Sequence, residues 1–265
     1  MRIHFISGLP RSGSTLLAAI LRQNPIFHAR IQSPVAEMFS NLIRTMSSSE
    51  TALFISDAQR QRILLSMIEA YYLDLSVKKL IFDTNRNWCS VLPALAQLFP
   101  EARVLCCLRN PAWILDSVER LVQRNAFLTS KMFGHEVGTV YKRAEEMVGN
   151  QFLGPSLNAL RQAWYGDNAD RLVAIRYDSL AARPAETISQ LYEILGEIPF
   201  EHDFEHLSYE EPEFDARRFM PGLHTVGTRV EFKQRRSILP PELFRQYDQQ
   251  FWEVPGNNPG CIRIL

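Results

Sequence analysis

Eight residues near the start of the chain, Gly8-Leu9-Pro10-Arg11-Ser12-Gly13-Ser14-Thr15, combine the types needed to hold an oxyanion. Two glycines allow a tight turn, and a turn that opens a helix aims several backbone N–H groups at one point. The helix dipole adds roughly half a positive charge there. The hydroxyls of Ser12, Ser14 and Thr15 supply further donors, and Arg11 supplies a forked cation. The spacing fits the phosphate-loop pattern G-x-x-x-x-G-K-[ST] at both glycines and at the final hydroxyl residue, with Ser14 where the lysine would stand. Nucleoside triphosphate hydrolases of that class use the lysine on the β- and γ-phosphates. Its replacement points to a loop built for a different phosphate arrangement.

Such a loop works only if a strand and a helix hold it. Four short apolar runs read as strands buried on both faces: residues 2–6, 79–83, 103–108 and 172–177. Helical periodicity separates them over 14–22, 57–75 and 184–195, the last opening at Pro184 and closing before Gly196. Strands alternating with helices predict βαβ units, a parallel sheet and a ligand at the strands' C-terminal edge. Residues 197–240 carry many prolines and charges and predict long loops with short helices, a lid over a site.

Composition narrows the class. With 46% hydrophobic and 22% charged residues the chain is globular rather than disordered. Lys and Arg total 29, as do Asp and Glu, and this balance argues against a nucleic-acid coat or a polybasic membrane anchor. Four cysteines without a C-x-x-C pair argue against a zinc site or disulfide framework and suit a reduced, cytoplasmic protein. The opening Met1–Gly8 run is too short for a signal-peptide core, and no apolar stretch has the ~20 residues that span a bilayer.

From Gly8 to Leu16 the chain resembles the 5′-phosphosulfate loop of the sulfotransferases, most of all that of protein-tyrosine sulfotransferases and their bacterial relatives. The resemblance implies 3′-phosphoadenosine 5′-phosphosulfate (PAPS) as donor, adenosine 3′,5′-bisphosphate as product and no metal. It also implies one α/β domain over residues 1–265 with a P-loop NTPase-like three-layer fold: a central parallel sheet with helices on both faces. Residues 1–200 would form the nucleotide core with the acceptor-site helices, and 201–265 the C-terminal loop or lid region.

PAPS carries a 3′-phosphate, so a second anion site is required. The family supplies it with an Arg at a strand end and a Ser eight residues on, matched here by Arg109 and Ser117 around Asn110-Pro111. Read alone, Arg109 is as well suited to a surface salt bridge. Arg176-Tyr177-Asp178-Ser179-Leu180 is similar to a further family stretch and brings Tyr177 toward the nucleotide, or leaves it packing at the strand end. In His224-Thr225-Val226-Gly227-Thr228-Arg229 the resemblance assigns Arg229 to the nucleotide, with Lys233, Arg235 and Arg236 as competitors.

By resemblance, the donor site would comprise Arg11, Ser12, Gly13, Ser14, Thr15, Leu16, Arg109, Ser117, Tyr177 and Arg229. Where the family has a second sulfonyl-binding lysine this chain has Thr84; Arg86 is the substitute, or else pairs with Asp83 or stacks on Trp88. The acceptor must lose a proton to a base. Glu37 is taken first and Asp83 next, with His28 and His135 as further candidates. Segments 33–60 and 125–165 would form the acceptor pocket, with aromatics drawn from Trp88, Phe127, Phe133, Tyr141, Phe152, Trp164 and Tyr165. The expected partners are a small-molecule or peptide acceptor, with a homodimer allowed. The competing readings are a P-loop kinase of unusual sequence, acting on small molecules or nucleotides, and a PAPS-binding protein without catalysis.

Overall fold

The computed structural model describes residues 2–75, 78–128, 138–217 and 219–265. Strand β1 (Ile3–Gly8) runs through the glycine loop into α1 (Ser14–Leu21). Strand β2 (Phe27–Ala29) precedes α2 (Val35–Ser48) and α3 (Asp57–Tyr71). Strand β3 (Leu80–Thr84) continues by a 3-10 turn over Arg86–Val91 into α4 (Leu92–Leu98). Strand β4 (Val104–Leu108) precedes α5 (Pro111–Arg124), α6 (Val140–Glu146) and α7 (Leu153–Trp164). Strand β5 (Leu172–Arg176) leads into α8 (Tyr177–Ala182) and α9 (Pro184–Leu195). Helices α10 (Pro212–Arg217) and α11 (Pro241–Tyr247) and strand β6 (Arg263–Ile264) follow.

The six strands pair in the order β2-β3-β1-β4-β5-β6, and every pair is parallel. Strand alternation builds the layers. Ile3, Phe5, Ile81, Val104 and Cys106 point into one core with α2, α3, α4, α5 and α7. Ile6, Phe82, Leu105, Cys107 and Val173 point into the other with α1, α8 and α9. Both faces are covered, which is why these strands read as unbroken apolar runs. The expected sheet with helices on both sides is what forms.

Local chemistry fixes the helix ends. Ser56 and Gln59 form a reciprocal capping box on α3. The Asn110 side chain accepts from the Ala112 N–H at 2.9 Å, and Pro111 follows as the first residue of α5. Gly196, at φ 64°, closes α9. Two expectations are corrected. The pattern over 57–75 stops as an α-helix at Tyr71 and continues as a 3-10 turn over Leu73–Leu75. Tyr177, expected as the end of a strand, begins α8 instead. Strands β2 and β6, three and two residues long, add to the four strands expected. Among the described residues no helix is long and apolar enough to cross a membrane.

The chain lays β3 and then β4 on opposite sides of β1, so the loops after these three strands diverge and leave a crevice at their C-terminal ends. That crevice holds the residues considered next.

Candidate active site

The crevice is an open cleft of about 510 Å³. Its floor is the β1–α1 loop. Gly8 leaves the strand at φ 101°, and Gly13 caps α1 at φ 98°, both in backbone regions that suit glycine. Arg11 between them also has positive φ, at 55°, an uncommon state for a side chain of its size and one that clusters at functional sites. The first N–H groups of α1 have no acceptor within the helix. Gly13, Ser14, Thr15 and Leu16 line the cleft beside Arg11. Ser12 does not: it is buried, and its hydroxyl donates to the Leu9 carbonyl. Its hydroxyl therefore closes the loop internally, against the expectation that it would meet a ligand.

The second anchor reaches the same floor. Arg109 Nη1 donates to the Arg11 carbonyl at 3.0 Å, and Arg11 Nε donates to Ser117 Oγ at 3.2 Å. Arg11 Nη1 also donates to the Leu223 carbonyl. The Arg109 guanidinium lies over the Tyr177 ring, 4.1 Å from its centroid. Arg109, Ser117 and Tyr177 all line the cleft.

Two arginines side by side in a half-buried site are electrostatically uncomfortable. Burial pushes the Arg11 guanidinium down to about 10, with Arg109 as the next cause. Burial also lowers Arg109, and Arg235 adds to that effect. Arg235 is tied to the fully buried Asp116 at 2.7 Å, which also accepts from Arg120 at 2.9 Å and from the Ile238 N–H at 2.8 Å. Asp116 thus pins the C-terminal segment to α5 next to Ser117. Arg229 lines the cleft too, but its guanidinium pairs with Glu205 at 2.9 Å and both are largely exposed. Of the competing cations, Arg235 is the one whose field reaches both Arg11 and Arg109.

At the end of β3 the proposed catalytic residues separate. Arg86 lines the cleft, its guanidinium 4.6 Å from the centroid of the Phe152 ring rather than on Trp88. Thr84 lines it as well, and its buried hydroxyl has no hydrogen-bond partner among the described residues. Asp83 does not reach the cleft: it is 1% exposed and takes Ser33 Oγ at 2.6 Å, Trp88 Nε1 at 2.7 Å and the Tyr72 hydroxyl. Burial raises its carboxyl above the usual range, and the three donors oppose that. Its surroundings give it a structural task, fixing β3 against α2 and α3, in place of the base role considered above.

Glu37, on the first turn of α2, is exposed and lines the cleft. His28 lies on β2 and does not line the cleft; burial pushes it down to about 4. His135 and Phe133 lie outside the described residues. Of the aromatics, Phe152 lines the cleft, whereas Trp88 and Trp164 are fully buried in the core. Sequence reasoning missed Phe214, which also lines the cleft, and the buried Asp215 that holds His224. Among the described residues no three His, Cys, Asp or Glu side chains group as metal ligands.

A parallel sheet whose first strand runs through a glycine loop into a helix defines a P-loop-like α/β protein. Residues 4–202 match the sequence model of the sulfotransferase family, and the chain belongs to that family. It is 26% identical over 216 residues to the nodulation protein NoeE of Sinorhizobium fredii (strain NBRC 101917 / NGR234), covering 74% of this chain and 50% of that protein, so it spans half of that relative's length. The sulfotransferase domain of the Synechococcus PCC 7002 olefin synthase superposes with a TM-score of 0.52 at 18% identity, over 87% of this chain and 90% of that one. The sulfotransferase domain from the curacin biosynthetic pathway gives 0.52 at 19% identity, over 76% and 75%. A sulfotransferase from Alicyclobacillus acidocaldarius gives 0.50 at 16%, over 82% and 90%. At these identities the likeness to the solved structures is one of fold.

Proposed function

We infer that the cleft binds PAPS and transfers its sulfuryl group to a hydroxyl or amine of a small-molecule or peptide acceptor. The observation that carries this reading is the junction of Arg109, Arg11 and Ser117, where two cationic anchors meet on one floor. A mononucleotide with phosphates at both its 3′ and 5′ positions needs two such anchors within one nucleoside's reach. The α1 N-terminus and Arg11 suit the 5′-phosphate and the leaving oxygen; Arg109, Ser117 and Arg235 suit the 3′-phosphate. The residues fit such a donor on a further count. The buried Thr84 hydroxyl lacks a protein partner among the described residues, and a sulfonyl oxygen would satisfy it. Arg86 adds a cation at the same end of β3.

An anion settling between Arg11 and Arg109 relieves their mutual repulsion, so binding is favoured by removing an unfavourable charge arrangement as well as by adding hydrogen bonds. Sulfuryl transfer is an in-line displacement in which charge develops on the leaving phosphate and the equatorial oxygens. Fixed donors at those positions do most of the catalytic work. The serine at position 14 and the paired anchors favour this reading over a kinase.

Arg109→Ala tests the 3′-phosphate assignment. Loss of a charged hydrogen-bond partner costs about 2–4 kcal/mol, so affinity for adenosine 3′,5′-bisphosphate should fall roughly 30- to 900-fold by calorimetry while affinity for AMP stays the same. An unaltered affinity for the bisphosphate would put that phosphate elsewhere.

A further inference from the structure

We propose that Asp116, buried on α5 beside Ser117, is a positioning residue that makes the cleft selective for a 3′-phosphorylated nucleotide by holding Arg235 in place, a role that rests on the donor reading above. Asp116 is 0% exposed, and its two oxygens meet three partners. Oδ2 takes Arg120 Nε, one helical turn on, at 2.9 Å and Arg235 Nη2 at 2.7 Å; Oδ1 accepts from the Ile238 N–H at 2.8 Å. Arg120 Nη2 in turn donates to the Arg236 carbonyl at 2.5 Å. The Asp116–Arg120 pair thus grips both side chain and backbone of residues 235–238, a stretch with no helix or strand of its own.

The charges explain why such a grip is needed. Arg11, Arg109 and Arg235 bring three like charges to one cleft. Burial lowers both Arg11 and Arg109, and Arg235 adds to the fall in each. Arg11 is tied to Ser117 and Leu223, and Arg109 to the Arg11 carbonyl and the Tyr177 ring. Arg235 is the one on an irregular segment, so repulsion from the other two would drive it toward solvent. Asp116 opposes that departure. Its charge also reaches Arg109, where it works against the effect of Arg235.

Arg120 shares the same carboxylate oxygen, so the pair on α5 is close to neutral and the charge of Arg235 is left for a ligand. A guanidinium carries five N–H donors in a rigid fork, and a bond through one Nη fixes the plane while other donors remain to be presented. Trp113, one turn before Asp116, sets its ring 5.8 Å from the guanidinium carbon of Arg235. One stretch of α5 therefore carries the hydroxyl that reaches the loop arginine and the carboxylate that reaches the C-terminal arginine. A 3′-phosphate would draw on Arg235, and AMP would not. Asp116 touches no ligand and acts through Arg235.

The test measures affinities for adenosine 3′,5′-bisphosphate and AMP by calorimetry on the full chain, on Asp116→Asn, on Arg235→Ala and on the double variant. Arg235→Ala should weaken the bisphosphate about 10- to 150-fold and leave AMP within about twofold. Asp116→Asn should weaken the bisphosphate at least about fivefold, again sparing AMP. In the double variant the loss should match that of Arg235→Ala within about twofold, because both changes act by one route. A merely structural role would lower both ligands together and would add to the loss from Arg235→Ala. Preference for the bisphosphate unchanged in Asp116→Asn or in Arg235→Ala, or additive losses, would overturn the proposal. Should Asp116→Asn not fold, hydrogen exchange on the parent decides. The bisphosphate should slow exchange of the Ile238 N–H that Asp116 holds, and AMP should not; equal exchange with the two ligands would overturn the proposal. A parent that binds the bisphosphate no better than AMP would sink the donor reading itself, a result separate from any of these.

Discussion

Arg11→Ala is expected to lower sulfuryl transfer from PAPS by about 10²–10³-fold, the usual loss when a fixed donor to developing transition-state charge is removed. The side chain is the single point where the loop, Ser117 and the Leu223 carbonyl meet. If Arg11 faces the leaving oxygen as proposed, its removal takes a cation from the place where charge is largest as the bond to sulfur breaks. The effect should therefore fall on kcat more than on the binding of adenosine 3′,5′-bisphosphate, because the loop N–H groups and Arg109 persist. Arg11→Lys keeps the charge but loses the fork that spans Nε and Nη1, and should fall between the two. Release of the bisphosphate from PAPS, measured beside circular dichroism to verify the fold, checks the order. An alanine variant with turnover within about threefold of the parent would remove Arg11 from the chemistry.

Gly8→Ala should produce the largest loss of stability. The residue leaves β1 at φ 101° in register with Cys107 of β4, and the Leu9 N–H donates to the Cys107 carbonyl at 2.9 Å. A Cβ here would stand 2.6 Å from the Cys107 nitrogen and closer still to its carbonyl oxygen, both backbone atoms that cannot swing aside. The backbone state costs a non-glycine residue about 1–3 kcal/mol, and overpacking costs a further 1–3 or so. The sum, about 2–6 kcal/mol, is a large share of a domain's stability, and the melting temperature should fall by at least roughly 4 °C. Activity should fall with it, because the distortion begins where the β1–α1 loop leaves the sheet. Calorimetric melting gives the comparison; an unshifted transition would mean that the β1–β4 contact yields without cost.

The central strands were legible because a strand covered on both faces is written as a bare apolar run. Val104–Leu108 and Leu80–Thr84 are of this kind, and each begins within a residue of its expected start. Strand β6 carries no such signature, since Arg263 and Ile264 are exposed and join the sheet by backbone pairing alone. The glycine loop was legible because a tight strand-to-helix turn needs its two positive-φ glycines at a fixed spacing. What escaped was set by pairing across the fold. Ser12 has a donor suited to a ligand, yet its hydroxyl turns back to Leu9, a choice made by loop geometry. Asp83 follows a strand pattern toward the site, yet Tyr72, Trp88 and Ser33 capture it on the core side. Arg235 looked no different from Lys233 or Arg236 until the buried Asp116 selected it. Asp215 and His224 lie nine positions apart on either side of a turn, a spacing with no signature of its own.

Two anchors are proposed to grip one nucleotide at both of its phosphates, and the affinity of the unmodified chain for adenosine 3′,5′-bisphosphate against AMP tests this grip without any substitution. The two ligands differ by the 3′-phosphate alone. If Arg109 and Ser117 hold it beside Arg11, calorimetry should find the bisphosphate tighter by at least roughly 30-fold, the equivalent of about 2 kcal/mol for a charged contact. Equal affinities would rule out the two-anchor grip, because the second anchor would then hold nothing that the first does not.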